Sequence, residues 1–160
     1  MNPKRSLLPI LLVPICLAAC VGFGMFISLV YTTAQLTLAR SEGVYPSAEE
    51  GMRGLVARGY RNVEQAEIRY AGPNSFDGSQ PHVWFVVAEV SAEARSDGSP
   101  AGNGIRTTEY PGSFFLQTRD GWVHVQEGAF PEFVGFWMRV FGLAGEGSAI
   151  PTHPHTAQIN

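Results

Sequence analysis

An uncharged apolar segment from Leu7 to Tyr31 limits what this chain can fold into more than any other feature. It follows Lys4 and Arg5, and as a helix rising about 1.5 Å per residue it would be roughly 37 Å long. The hydrocarbon core of a bilayer is about 30 Å thick, so the segment is long enough to cross it. Because lipid buries these side chains more favourably than the mostly polar remainder would, we expect a transmembrane helix.

Charges on either side of the segment predict its orientation. Lys4, Arg5 and the terminal amine precede it, whereas Arg40 and Glu42 roughly cancel beyond it. Since an excess of Lys and Arg marks the cytoplasmic side of a span, we expect the N-terminus in the cytoplasm. The chain is thus predicted to be a single-pass signal-anchor protein whose C-terminal part is extracytoplasmic.

Two other interpretations of the apolar segment stay open. Leu17-Ala18-Ala19-Cys20 is similar to a lipobox, which would make the chain a bacterial lipoprotein acylated at Cys20, although the following residues are still apolar. Thr32-Thr33-Ala34 would suit a cleaved signal peptide, although the apolar segment is long for one. All three interpretations place the remainder outside the cytoplasm.

The composition of the remainder excludes nucleic acid as a partner. From Arg40 onward there are nine arginines against fourteen acidic side chains, a balance of about −5, and phosphate binding needs a basic face. Both cysteines, Cys16 and Cys20, lie in the apolar segment, so the remainder has no disulfide framework and no thiolate zinc site. His153 and His155 alone leave a metal site incomplete, and we expect neither a metal nor a cofactor.

A helix is predicted from Ala48 to Arg58. Ser47 and Glu50 have the spacing of a capping box, and Met52, Leu55 and Val56 follow at helical spacing. Gly51 and Gly54 lower the helix propensity but would allow close packing on something flat.

Strand patterns follow this helix. Residues 64–70 alternate, with Ala66, Ile68 and Tyr70 on one face, and residues 83–90 are β-branched and aromatic, as in a central strand. Asp120-Gly121 between two apolar segments predicts a hairpin over residues 113–127.

Pairing outward from that hairpin turn assigns its two faces. Thr118 is expected opposite Val123 and Leu116 opposite Val125, which puts four apolar side chains on a buried face: Phe114, Leu116, Val123 and Val125. The other face is expected to be open to solvent. Gln117, Trp122 and His124 would lie together there, where they could line a ligand cleft.

Residues 131–143 predict a second helix that carries five large apolar side chains: Phe133, Phe136, Trp137, Val140 and Phe141. Pro131 suits the first position of a helix. Two roles are open for these side chains. They would either pack on the sheet to complete a small core, or contact the membrane surface or a partner helix.

The whole chain is therefore predicted to be an α+β protein in which one helix packs on three or four antiparallel strands, with an aromatic helix after them. This element order is similar to that of cystatin-like and NTF2-like folds, and a likeness in order alone implies no function. The predicted segments are a cytoplasmic tail (1–6), a transmembrane helix (7–31), a linker (32–46), an extracytoplasmic domain (47–144) and a disordered tail (145–160).

No catalytic constellation is apparent, so the expected role is a non-enzymatic binding or assembly module at the cell envelope. Its partners would be the bilayer and another membrane or envelope protein, and Gly22 and Gly24 form a small patch that would accept another helix. The alternative is a small-ligand receptor or enzyme with a pocket near Gln117, Trp122 and His124.

Overall fold

The structure is a computed structural model, and it describes residues 8–73, 81–101, 107–126, 131–146 and 158–159. The chain is an α+β protein whose elements follow in this order: α1 (Leu8–Glu42), α2 (Ala48–Gly59), β1 (Tyr60–Pro73), β2 (Val83–Arg95), β3 (Thr107–Glu109), β4 (Gly112–Thr118), β5 (Gly121–Val125), α3 (Pro131–Val140) and β6 (Gln158–Ile159).

Helix α1 contains the apolar segment and extends well beyond it. It is 35 residues long, and within the described residues it is the one helix long and apolar enough to cross a membrane. The prediction of a linker over residues 32–46 is wrong for most of its length, because the helix continues to Glu42. Its last turns are helical because Leu36 and Ala39 recur at helical spacing and pack against the sheet.

The strands form one antiparallel sheet in the order β5-β4-β2-β1-β6. The first half of β2 pairs with β4, and Val90 to Ala92 in its second half pair with β3. Strand β2 is therefore central, as its β-branched sequence predicts, and most of it has a neighbour on both sides.

Helix α2 covers one face of the sheet. Ser47 is its N-cap, since the Ser47 hydroxyl accepts a hydrogen bond of 3.1 Å from the Glu50 backbone N–H, which confirms the predicted helix start. The helix packs on a core cluster whose larger buried members are Met52, Val56, Ile68, Trp84, Val86, Val90, Phe115 and Trp122.

The opposite face of the sheet is covered by the C-terminal turns of α1 and by α3. A second core cluster forms here, and its buried members are Ala39, Val83, Leu116, Val123, Val125, Val134 and Met138. The expectation of a face open to solvent is therefore wrong. Trp122, which we placed on the open face, is buried beneath α2 together with Phe115, because the face that α2 covers is itself apolar enough to form a core.

The hairpin is present, but its register differs from the prediction by two residues. Thr118 pairs with Gly121, Leu116 with Val123, and Phe114 with Val125. The turn therefore centres on Arg119 and Asp120. A shift by two residues keeps every side chain on its face, and Leu116, Val123 and Val125 are buried as predicted while Phe114 is partly buried.

Gly121 explains why the turn lies one residue earlier in the chain than predicted. Its φ is +138°, and a Cβ there would lie 2.8 Å from the backbone oxygen of Tyr45. The segment after α1 runs beside the start of β5, where Tyr45 and Trp122 exchange two backbone hydrogen bonds of 2.8 Å. Glycine thus starts the strand, where the close approach of another chain segment needs it.

Strand β1 departs from simple alternation. A register irregularity between Ile68 and Tyr70 leaves Tyr70 exposed, so the prediction that it shares the buried face of Ala66 and Ile68 is wrong. Glu67 is buried between these two residues, and its carboxylate lies 3.6 Å from the guanidinium of Arg69.

The predicted disordered tail over residues 145–160 is only partly described. Gly145 donates a backbone hydrogen bond to the Gln117 carbonyl, and residues 158–159 form β6 beside Ala66 and Glu67. The prediction is wrong at these positions, because their backbone groups find partners on the sheet. Residues 147–157 and 160, including His153 and His155, lie outside the described residues.

Gly51 provides a test of how closely α2 packs on the sheet. A Cβ at this position would lie 2.3 Å from a ring carbon of the fully buried Phe115. We expect Gly51→Ala to destabilise the protein by about 1–3 kcal/mol through overpacking, which exceeds the gain from helix propensity. Urea unfolding in detergent micelles, followed by tryptophan fluorescence, measures this free energy.

Gly59 is the matched control, since a Cβ there meets nothing within 4 Å. Gly59→Ala should leave the free energy of unfolding unchanged or raise it by up to about 1 kcal/mol. Equal effects of the two substitutions would contradict the close packing of α2 on Phe115.

Candidate functional site

Helix α3 has two apolar faces. Val134 and Met138 are buried in the core, while Phe133, Phe136 and Val140 remain 56%, 45% and 55% exposed. At about 100° per residue, these three exposed side chains lie within about 60° of one another, and their mean direction is about 150° from that of the buried pair. We call Phe133, Phe136 and Val140 the outer face of α3. Complete burial of each such side chain would stabilise by roughly 1.5–3 kcal/mol.

Trp137 joins α3 to the apolar part of α1. Its side chain is only 8% exposed, and its indole N–H donates a hydrogen bond of 2.8 Å to the hydroxyl of Ser28. The ring also stacks on Phe141, with ring centroids 5.5 Å apart. Helix α3 therefore lies beside residues that belong to the predicted span.

A groove separates α1 from the outer face of α3. It has a volume of about 540 Å³, and its lining is almost entirely apolar: Gly24, Met25, Ser28, Phe133, Phe136 and Trp137. A Cβ built on Gly24 would meet nothing within 4 Å, so the groove is open at that point. We call this the α1–α3 groove.

The five predicted side chains of the aromatic helix differ in their exposure. Trp137 is buried beside α1, whereas Phe133, Phe136, Val140 and Phe141 are exposed, and contact of these four with a membrane or a partner stays a prediction. The core contacts of the helix come from Val134 and Met138, which the sequence analysis did not single out.

His82 fixes α3 to the sheet. The side chain is buried, and its Nε2 lies 3.2 Å from the backbone carbonyl of Gly135, so the neutral ring donates a hydrogen bond to α3. Burial lowers the pKa of His82 below its usual 6.5, and the charge of Arg139 acts in the same direction, although the bond to Gly135 opposes them. A neutral His82 therefore belongs to the folded state near pH 7.

A polar cluster joins the other end of α1 to the hairpin. His124 lies with Nδ1 3.2 Å from a carboxylate oxygen of Glu42, and Gln126 donates a hydrogen bond to the same carboxylate. Arg40 forms a salt bridge of 3.1 Å with Asp120 in the hairpin turn. The last turn of α1 is thus held to β5 by charge-assisted contacts as well as by apolar packing.

His124 also contacts a hydroxyl. Its Nε2 lies 2.7 Å from the Oγ of Ser113, which completes a chain of hydrogen bonds from Ser113 through His124 to Glu42. A hydroxyl, an imidazole that can accept its proton and a carboxylate that orients the imidazole are the parts of an activated nucleophile. We call these three residues the Ser113 cluster.

The three predicted ligand residues differ in their surroundings. Gln117 pairs directly with Trp122, and His124 is diagonal to Gln117 on the same face. However, Trp122 is buried against Trp84, with ring centroids 5.1 Å apart. Of the three residues, His124 has the polar environment that a reactive group needs.

A second, polar groove of about 440 Å³ lies near the C-terminal end of β2. Here Tyr60 donates a hydrogen bond of 2.8 Å to Glu109, and Arg95 contacts the same carboxylate through two nitrogens. Burial and the neighbouring Glu109 raise the pKa of Tyr60 to about 12. The groups satisfy one another, which is typical of a structural network.

Sequence reasoning missed Ser28, Glu42 and Ser113. These residues come from α1 and from β4, so a contact such as Glu42 to His124 spans 82 positions. An isolated Ser or Glu carries no local pattern that would predict such a meeting. Cys20, the predicted acylation site of the lipoprotein alternative, is exposed on α1 with a free thiol.

Comparison with known proteins gives no match, either to a protein-family model, to a curated protein or to a solved structure. The likeness to cystatin-like and NTF2-like folds therefore remains one of element order.

Buried His82 makes the stability of the protein depend on pH. Because its folded-state pKa is lowered, the unfolded chain binds the proton more tightly. The free energy of unfolding should therefore be highest above pH 6.5 and fall below it, until the pH reaches the folded-state pKa. One such site contributes a slope of at most about 1.4 kcal/mol per pH unit.

His82→Gln keeps a donor for the Gly135 carbonyl and removes the titration. We expect a smaller loss of stability between pH 7 and pH 5 in this variant than in the wild type, measured by urea unfolding in detergent. His124→Gln is the control, since it leaves His82 in place. If the free energy of unfolding depended on pH equally in the wild type and in His82→Gln, His82 would not be the group responsible for the pH dependence.

Proposed function

We propose that this protein is a single-pass membrane protein whose small α+β domain acts as a non-enzymatic binding or assembly module at the cell envelope. Residues 7–31 form a retained signal anchor, the N-terminus is cytoplasmic and the domain is extracytoplasmic. The bilayer and a membrane or envelope protein are its partners.

The observation that carries this proposal is the continuity of α1. Its apolar part projects from the domain with its large side chains exposed, Thr32 just after it is buried, and its last turns form part of the core, where Ala39 is buried. A span of about 20 residues ending at Tyr31 would cross a 30 Å hydrocarbon core. The domain would then start directly at the membrane surface.

The contacts of α1 also favour retention of the segment over removal as a signal peptide. Cleavage after Ala34 would remove Ser28, which accepts the hydrogen bond from Trp137, and Thr32, which is buried in the folded domain. A signal peptide that contributes to the core of the mature domain would be an unusual arrangement. A lipoprotein that begins at an acylated Cys20 would retain Ser28 and Thr32. It therefore stays an alternative, and the intact mass of the protein distinguishes it.

Intact mass of the protein extracted from membranes tests the proposal directly. We expect the mass of the full chain, whereas a diacylglyceryl-modified species starting at Cys20 or a species starting after Ala34 would contradict a retained anchor. The protein should also stay in the membrane pellet after carbonate washing, because a spanning helix is not released by high pH.

Protease added to intact spheroplasts tests the orientation. It should cut the turn that contains Asp97, Gly98 and Ser99, which is exposed at the end of β2. A cytoplasmic marker protein that stays intact is the control. Protection of this turn until the membrane is permeabilised would reverse the orientation.

The Ser113 cluster favours a second candidate function, an acyl-transfer or hydrolytic enzyme. In such an enzyme His124 would accept the proton of the Ser113 hydroxyl as its oxygen attacks a carbonyl, and Glu42 would stabilise the charged imidazole. The distances of 2.7 Å and 3.2 Å fit these roles. Of the pocket expected near Gln117, Trp122 and His124, this candidate keeps His124 and adds Ser113 and Glu42.

A fluorophosphonate probe distinguishes the two candidates. If Ser113 is an activated nucleophile, its oxygen displaces fluoride from the probe and the protein gains the mass of the phosphonyl group. Ser113→Ala should abolish this labelling and Glu42→Gln should slow it. An unlabelled wild-type protein would exclude the enzyme and leave the cluster as a structural link between α1 and β5.

A further inference from the structure

We infer that the α1–α3 groove binds an acyl chain of an outer-leaflet phospholipid, with the outer face of α3 immersed at the boundary between headgroups and acyl chains. This inference rests on the proposed anchor. It adds a binding site, its ligand class and a fixed depth of the domain in the membrane.

Depth along α1 supports a lipid as the occupant. If the span ends at Tyr31, Ser28 lies about 4.5 Å and Gly24 about 10 Å below that boundary. Interfacial helices bury their apolar face about 5–10 Å into the same region. The groove lined by Gly24 and Ser28 thus opens where acyl chains begin.

The chemistry of the groove agrees with that position. Ser28 supplies its polar group, and the hydroxyl is already bonded to the indole of Trp137. An apolar surface with its one polar side chain satisfied suits a hydrocarbon chain and not a polar ligand.

The outer face of α3 continues the apolar surface of α1. Phe133 and Phe136 belong both to this face and to the groove wall, and Val140 extends it by one turn. Exposing these side chains to water would be unfavourable, whereas the outer leaflet covers them without any further protein. Trp137 and Tyr31 lie near the same level, where aromatic rings are enriched in membrane proteins.

Quenching of tryptophan fluorescence by brominated phosphatidylcholine tests the inference in proteoliposomes of the full chain. Trp84 and Trp122 lie in the core cluster beneath α2, on the opposite face of the sheet from α3. The difference between the wild type and Trp137→Phe therefore reports on Trp137. We expect bromines near the headgroup end of the acyl chain to quench this component strongly, and bromines near the terminal methyl to quench it weakly.

Two glycines provide a matched pair of variants. Gly24 lines the groove and Gly22 does not, while a Cβ at either position meets no atom within 4 Å. Gly24→Leu should fill the groove and reduce the quenching of Trp137, and Gly22→Leu should leave it unchanged. Equal quenching in the two variants would overturn the groove as the binding site.

Other outcomes separate this inference from the proposed anchor. If the protein resists carbonate washing but Trp137 is not quenched, lipid does not reach the groove and the anchor stands. If carbonate washing releases the protein, both the proposed anchor and the lipid-binding groove are wrong. Quenching that increases as the protein is diluted into excess lipid would identify a second copy of this chain as the occupant instead.

Discussion

The packing of the last turns of α1 against the sheet is the interaction on which the rest of the structure depends. Ala39 and Leu36 contribute to the core beneath β5, and Glu42 and Arg40 bind side chains of the same hairpin. Because one helix contains both the apolar segment and these contacts, the apolar segment continues without a break into the part of α1 that packs on the sheet. The position of α3 beside Ser28 follows from it, since α3 packs on the same face of the sheet.

Local patterns were enough to predict the three helices and the four longer strands, but neither the short strands β3 and β6 nor what covers each surface. The cap at Ser47 and the distribution of hairpin side chains between two faces depend on spacing alone, and the structure confirms both. The register of the hairpin depends on Gly121, whose role comes from the approach of Tyr45, which is far away in sequence. The linker was mispredicted because polar threonines mask the Leu36 and Ala39 pattern that continues the helix.

The candidate site shows the same limit more strongly. The sequence identified the aromatic residues of α3 and His124, but not their contacts with Ser28, Glu42 and Ser113. These contacts depend on where α1 lies, and the fold alone decides that. Val134 and Met138 supply the core contacts of α3. From the sequence, the outer face of this helix is visible only as more apolar residues than those contacts need.

The uninterrupted course of α1 has a mechanical consequence. A domain on a flexible tether samples many heights and angles, but here the eleven helical residues beyond Tyr31, roughly 16 Å of helix, are themselves packed on the sheet. In the proposed orientation, any tilt or rotation of the anchor would turn the sheet by the same angle. A protein that binds the membrane-spanning part of α1 would therefore change the orientation of the domain without contacting the domain itself.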